Sequence, residues 1–382
     1  MEFELQWLLV GVPVAFALGW LASRLDLRQL KRENRDSPKA YYKGLNLLLN
    51  EQQDKAIDAF IEAVQNDPDT TELHFALGNL FRRRGEFERA VRVHQHLLGR
   101  GDLGATERDR AQHALAQDFM KAGLFDRAEA AYRALLGTPF DTESRLALLN
   151  LYERSRDWRA AADMASALEK SGTGSFGQRM AHHWCELAQE ADAKGQPADA
   201  DAALRRAREA APQAPRPLLL AGLRLARAGQ HETALATWDD LRLRDAASFR
   251  LVALDYADSA LAAGRAEAAR QTLLQAHAQA PSLDLLRAVA RLAQTDLATL
   301  PQTLSLLRDQ PTLSAAQAVL ARPLAEWTAD SAAAVAEAVN RAARPQQRYR
   351  CAACGFEAQR YFWQCPGCLS WDSFPAQRVE EL

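Results

Sequence analysis

Gly44 and Gly78 lie 34 residues apart, as do Ala56 and Ala90, Gly195 and Gly229, and Ala200 and Ala234. Gly229 and Gly264 are 35 apart. This recurrence constrains the 382-residue chain more than any other feature. Self-similarity at such a period means stacked supersecondary units, none able to bury its apolar face alone. Small residues belong where two antiparallel helices cross most closely, a glycine or polar turn joins them, and proline commonly stops the second. Composition agrees, because Ala, Leu and Arg dominate and all three favour helix. An apolar content of 48% is too rich for disorder, and a net charge of −2 argues against a general nucleic-acid binder.

A period of 34 with small residues at fixed sites is the tetratricopeptide signature, which predicts an all-α solenoid over residues 37–344. Repeat one, about Ser37 to Thr70, carries Gly44, Ala56, Phe60, Ala63 and Pro68. Repeat two has Gly78, Phe81, Gly85 and Ala90, and repeat three has Ala116, Phe119, Gly123, Phe125, Ala128 and Tyr132, after an insertion near 100–104. Repeat four is weaker, with Trp158, Ala161 and Ala165, and a Gly/Ser-rich break at 171–177 follows it. Repeats five to seven are marked by Gly195 and Ala200, Gly222 and Trp238, and Gly264 and Ala269. From 283 to 344 the motif fades into one or two degenerate repeats, as expected of the end of an array. Such an array presents a concave surface made by its first helices. Phe75, Asn79, Arg82 and Arg83 of repeat two and His113 and Gln117 of repeat three are the candidate partner-binding residues. Asn79 with the following arginines suits an acidic segment or a peptide carboxylate. The plainer alternative is that Arg82 to Arg84 are a solvated helix end beside Gly85. No phosphate loop, paired-His helix or nucleophile elbow is present, so no enzyme is expected.

Trp7 to Ala22 is an unbroken apolar run, extendable to Leu5 across Gln6. Eighteen helical residues would rise about 27 Å, close to the hydrocarbon thickness of a bilayer. Trp7 and Trp20 sit where interfacial anchors would, and Pro13 is tolerable in such a helix. Glu2 and Glu4 precede the run, whereas a signal peptide needs a basic start. The basic residues Arg24, Arg28, Lys31, Arg32 and Arg35 come after it. We therefore expect a single transmembrane anchor over 1–24 and a basic linker over 25–36, with the N-terminus facing out and the rest cytoplasmic.

Four of the five cysteines fall between positions 351 and 368, in the order Cys351-x-x-Cys354, ten residues, Cys365-x-x-Cys368. Two residues between cysteines let each pair form a turn whose amides point at the thiolates, and four thiolates complete a tetrahedral site. The ten-residue spacer suffices for a short hairpin that brings the second turn back to the first. Zinc and iron both suit four sulfurs, and only iron could transfer electrons. Residues 345–382 are too few for a self-sufficient core, so the metal supplies much of their folding free energy. Tyr349, Phe356, Tyr361, Phe362, Trp363, Trp371 and Phe374 crowd this segment. Some of them should form its small core, and others should pack it onto the last helices. Cys185, beside His182 and His183, reads as a packing residue.

The stretch Tyr349-Arg-Cys-Ala-Ala-Cys-Gly-Phe356, followed by Tyr361-Phe-Trp-Gln-Cys-Pro-Gly-Cys368, completes the pattern. With the anchor and the repeats, it resembles the lipopolysaccharide assembly protein B family across essentially the whole chain. Tyr349, Cys351, Cys354, Gly355, Phe356, Trp363, Cys365, Pro366 and Cys368 carry the most specific part of the likeness. The resemblance implies a rubredoxin-like metal domain at 345–382 and a non-catalytic adaptor of the inner membrane. The implied partners are the AAA+ protease FtsH, the deacetylase that commits precursors to lipid A, an opposing membrane sensor, and other lipopolysaccharide assembly proteins. Two alternatives stand beside it. One is a rubredoxin-type electron carrier for a membrane partner. The other is a zinc ribbon for nucleic acid, suggested by Arg341, Arg344, Arg348 and Arg350 but disfavoured by net charge.

Overall fold

The computed structural model describes residues 70–381 continuously and, before them, Phe16, Trp20, 42–47, 49–50 and 52–66. The expected anchor at 1–24 and linker at 25–36 lie outside the described residues, apart from Phe16 and Trp20. Among the described residues no helix is long and apolar enough to cross a membrane.

Two compact units divide at Arg179 and Met180. In the first, α1 (Gln53–Asn66) is followed by three hairpins: α2 (Thr71–Arg84) with α3 (Phe87–Gly99), α4 (Ala105–Ala122) with α5 (Phe125–Arg133), and α6 (Asp141–Ser155) with α7 (Trp158–Lys170). Next come α8 (Gly177–Ala193) with α9 (Pro197–Ala210), α10 (Pro215–Arg227) with α11 (His231–Arg244), and α12 (Ala253–Ala262) with α13 (Ala266–Gln279). The second unit continues through α14 (Leu283–Ala293), α15 (Pro301–Asp309), α16 (Leu313–Leu320) and α17 (Ala329–Gln346). Two short strands, β1 (Tyr349–Arg350) and β2 (Glu357–Ala358), follow as an antiparallel pair. The array is all-α, as the period predicts. The weak repeat four forms a full hairpin, and the faded stretch after 283 forms four helices.

One backbone device ends the first helix of successive hairpins. One or two positions past the helix a left-handed residue follows: Gly85 (φ 83°), Gly123 (76°), Gly195 (69°), Gly229 (73°) and Gly264 (69°). The next N–H then bonds the carbonyl five residues back, as in Glu86 to Phe81, Leu124 to Phe119, Gln196 to Ala191, Gln230 to Leu225 and Arg265 to Ala260, at 2.7–2.9 Å. These Schellman closures satisfy carbonyls that the helix end would otherwise leave bare. Arg156 (φ 60°) and Gln294 (φ 51°) occupy the same position without being glycine. Asp157 still reaches Tyr152 and Thr295 still reaches Ala290. The motif faded in sequence at these hairpins while its geometry persisted.

At three places a first-helix glycine packs against a second-helix ring sixteen residues on. A Cβ added to Gly44 would meet the Phe60 ring at 2.7 Å, one on Gly78 would meet His94 at 2.5 Å, and one on Gly222 would collide with Trp238. In other hairpins the corresponding pairs are Ala116 with Tyr132, Ala188 with Leu204 and Ala257 with Leu273, all buried. In repeat four the sizes reverse, with Leu149 on the first helix and Ala165 on the second, both fully buried. Where glycine stands at the crossing, small therefore faces large, which lets the helices approach closely while the core stays filled.

Candidate metal centre

The C-terminal module is built from two copies of one turn. Cys351 N–H bonds Phe356 O at 2.9 Å and Gly355 N–H returns to Cys351 O at 2.8 Å. Fourteen residues on, Cys365 N–H bonds Ser370 O at 2.9 Å and Leu369 N–H returns to Cys365 O at 2.8 Å. The turn needs a left-handed residue after its second cysteine, supplied by Gly355 (φ 77°) and by Leu369 (φ 60°). Pairing of β1 with β2 and a bridge between Gln364 and Trp371 close each copy. The ten-residue spacer thus does what the sequence demanded and returns the second knuckle against the first.

Cys351, Cys354, Cys365 and Cys368 are brought together, with all four sulfurs within 4.8 Å of one another. Cys351 Sγ lies 3.8 Å from Cys368 Sγ, and Cys354 Sγ lies 3.7 Å from Cys365 Sγ. Four ligands at about 2.3 Å from a central ion have tetrahedral edges of about 3.8 Å, so the sulfurs already stand at metal-ligand spacing. They are free thiols, far outside disulfide distance. Gly367 N–H points at Cys365 Sγ at 3.4 Å. The Ser373 hydroxyl lies 3.2 Å from Cys351 Sγ and the Ser370 hydroxyl 3.3 Å from Cys368 Sγ. The two hydroxyls make the thiols beside them more acidic. Ser373 holds Cys351 down to about 6, and Ser370 lowers Cys368. The Phe356 amide also pulls on Cys354, but the crowding of Cys368, Cys365 and Cys351 outweighs it and pushes that thiol up to about 12. Four thiolates cannot share this space without a cation, which is the chemical demand that a bound metal meets. The donor set fits a tetrahedral ion, and either zinc or iron satisfies it.

Around the sulfurs, Cys351, Cys365 and Phe374 form a small core with Tyr349, Ala358, Tyr361 and Phe362 against it. Tyr361 is its hub, packing edge-on to Tyr349, Trp363 and Phe374 and donating its hydroxyl to Phe374 O at 3.1 Å. The expectation that the remaining aromatics pack the module onto the last helices needs correction. Trp363 and Trp371 are 68% and 67% exposed. The tail closes instead on the module's own first residues, where Val379 N–H bonds Arg348 O at 2.8 Å. Cys185 is fully buried among alanines and leucines in the second unit, and burial pushes its thiol up to about 11.

The six candidate partner-surface residues have varied surroundings. Phe75 is buried, with the Arg110 guanidinium 4.1 Å above its ring. Asn79 Oδ1 accepts from Arg82 Nη2 at 2.5 Å, and Arg82 Nη1 donates to Asp118 at 2.8 Å and to Ala114 O at 3.2 Å. Arg83 is exposed, and Gln117 is half-buried. His113 stacks on Phe140 at 4.8 Å between centroids, and burial lowers its pKa. Asp118 and His94, which composition and spacing did not single out, are both fully buried, 2.5 Å apart through His94 Nδ1. Their separation of 24 residues, on α4 and α3, left no local pattern to find.

Comparison with known proteins agrees with this architecture. Residues 349–375 match the family described as Rubredoxin metal binding domain, and residues 73–108 match the tetratricopeptide repeat. The chain is 30% identical over 380 residues to lipopolysaccharide assembly protein B of Escherichia coli K12, covering 97% of each. It is 28% identical over 410 residues to the protein of that name from Haemophilus influenzae, again covering 97% of each. Among solved structures, a tetratricopeptide repeat protein from Parabacteroides merdae is 15% identical with a TM-score of 0.34, covering 67% of this chain and 98% of that one. That likeness is too slight to carry an argument. The full-length relatives, the repeats and the four-cysteine centre converge on one conclusion: the chain belongs to the lipopolysaccharide assembly protein B family.

Proposed function

We propose that this protein is a non-enzymatic adaptor in lipopolysaccharide assembly, tethered to the inner membrane by residues 1–24 with its repeats and metal domain in the cytoplasm. The observation that carries the reading is the match to proteins of that name along 97% of both chains, repeats and cysteine module together. Helical hairpins supply the extended surfaces on which protein partners dock. The apolar run at Trp7 to Ala22, with arginines after it, supports the tether. The finer role is presentation of the lipid A deacetylase to the membrane protease FtsH, opposed by a membrane sensor. A tether raises the effective concentration of such partners without adding any contact.

Crosslinking in native membranes, followed by identification of the captured proteins, tests this. The protease or the deacetylase should be recovered, and the deacetylase should persist longer in cells lacking the protein. Recovery of neither, with an unchanged deacetylase half-life, removes the adaptor role. The electron-carrier alternative draws no support from the relatives' names. A colourless, zinc-loaded protein without reversible redox cycling would exclude it.

A further inference from the structure

The two knuckles share their backbone turns, but their hydroxyl donors differ. Ser370 follows Cys368 by two residues, where the first knuckle has Phe356. Ser373 comes from outside either turn and reaches back 22 residues to Cys351. It is attached there twice. Its carbonyl accepts the Ala352 N–H at 2.7 Å, and its hydroxyl lies 3.2 Å from Cys351 Sγ. As a free thiol Cys351 donates to the Ser373 hydroxyl oxygen, and that hydroxyl donates in turn to the Ser370 carbonyl at 3.3 Å.

We propose that Ser373 is a positioning residue of the metal centre, giving its hydroxyl proton to the Cys351 sulfur and fixing the first knuckle in ligand geometry, with Ser370 in the lesser, corresponding role at Cys368. This rests on the four-cysteine metal reading. A metal-bound thiolate accepts hydrogen bonds and cannot donate one, so the hydroxyl turns toward sulfur once the ion is bound. Such charge-assisted bonds are about twice as strong as neutral ones. The inequality between the serines follows from exposure. Cys351 is 1% exposed, so no water replaces a donor lost there, whereas Cys368 lies open to solvent. Loss of a partner just outside a metal's own ligands weakens binding by about 10–100-fold.

The test is competition for zinc between the full-length protein and a chromophoric chelator. Ser373→Ala should bind zinc about 10-fold more weakly than wild type, Ser370→Ala should lose less, and Ser373→Thr, which keeps the hydroxyl, should stay near wild type. If Ser373→Ala does not fold, Ser373→Val takes its place, and the Thr/Val pair, alike in shape, isolates the hydroxyl. A second measurement uses the iron-loaded protein. Donors to sulfur favour the more negative ferrous centre, so the reduction potential should fall in Ser373→Ala and hold in Ser373→Thr. Zinc binding in Ser373→Ala equal to wild type would overturn the proposal alone, as would a Thr variant as weak as the Ala one or a larger loss at Ser370. A wild-type protein that takes up neither zinc nor iron would overturn the four-cysteine reading and this proposal with it.

Discussion

Asp118 has no solvent exposure, yet two basic groups from different helices converge on it, Arg82 Nη1 at 2.8 Å and His94 Nδ1 at 2.5 Å. It thereby joins α2, α3 and α4. Its value lies less in the net strength of the pairs than in what its loss would strand, because a buried charge without a partner is costly. Asp118→Ala should lower stability by about 3–5 kcal/mol, read as a shift of the urea midpoint. A loss below about 1 kcal/mol would mean that the network relaxes around the gap. His113 carries a pH-dependent effect of known sign. Its folded pKa lies below the ordinary value of 6.5 because burial disfavours the charged ring. The unfolded chain therefore takes up the proton first, and stability drains away as pH falls below about 6.5 toward the folded value. His113→Phe, which keeps the stack on Phe140, should lose less stability than wild type between pH 7.5 and 5.5. Equal losses in the two proteins would assign the effect elsewhere.

The hairpins were legible in the sequence wherever glycine marked the left-handed turn, as at Gly85, Gly123, Gly195, Gly229 and Gly264. They were obscure at Arg156 and Gln294, because glycine is favoured at that backbone position and not required by it. Arg156→Gly should therefore stabilise the first unit by about 1 kcal/mol, measured by chemical denaturation, since it removes the strain of a side chain at φ 60°. Gly222→Ala should do the reverse. Its methyl would enter the Trp238 ring, and overpacking of that kind costs about 1–3 kcal/mol. The four metal ligands were readable because their spacing is itself the chemistry. Ser373 was not, since a serine five residues past the last cysteine reaches Cys351 only after the second knuckle has folded back.

For the whole molecule, the cysteine module is the part whose order should depend on a bound metal. Its buried core consists of Cys351, Cys365 and Phe374, too little to hold 30-odd residues by burial alone. Cys351→Ser should abolish stoichiometric metal binding, measured by elemental analysis, and leave helix content by circular dichroism almost unchanged. Undiminished metal would refute the ligand set. A wholesale loss of helix would show the hairpins to depend on the module.

The matching of small against large at the helix crossings bears on how such an array can change over time. Gly222 makes room for Trp238, and Gly78 for His94, so neither partner can be exchanged by itself without a clash or a void. A helix transplanted from one hairpin to another arrives with the wrong complement, whereas a whole hairpin brings its own. The heritable unit of this chain is therefore the pair of helices, and duplication or loss should proceed in steps of two.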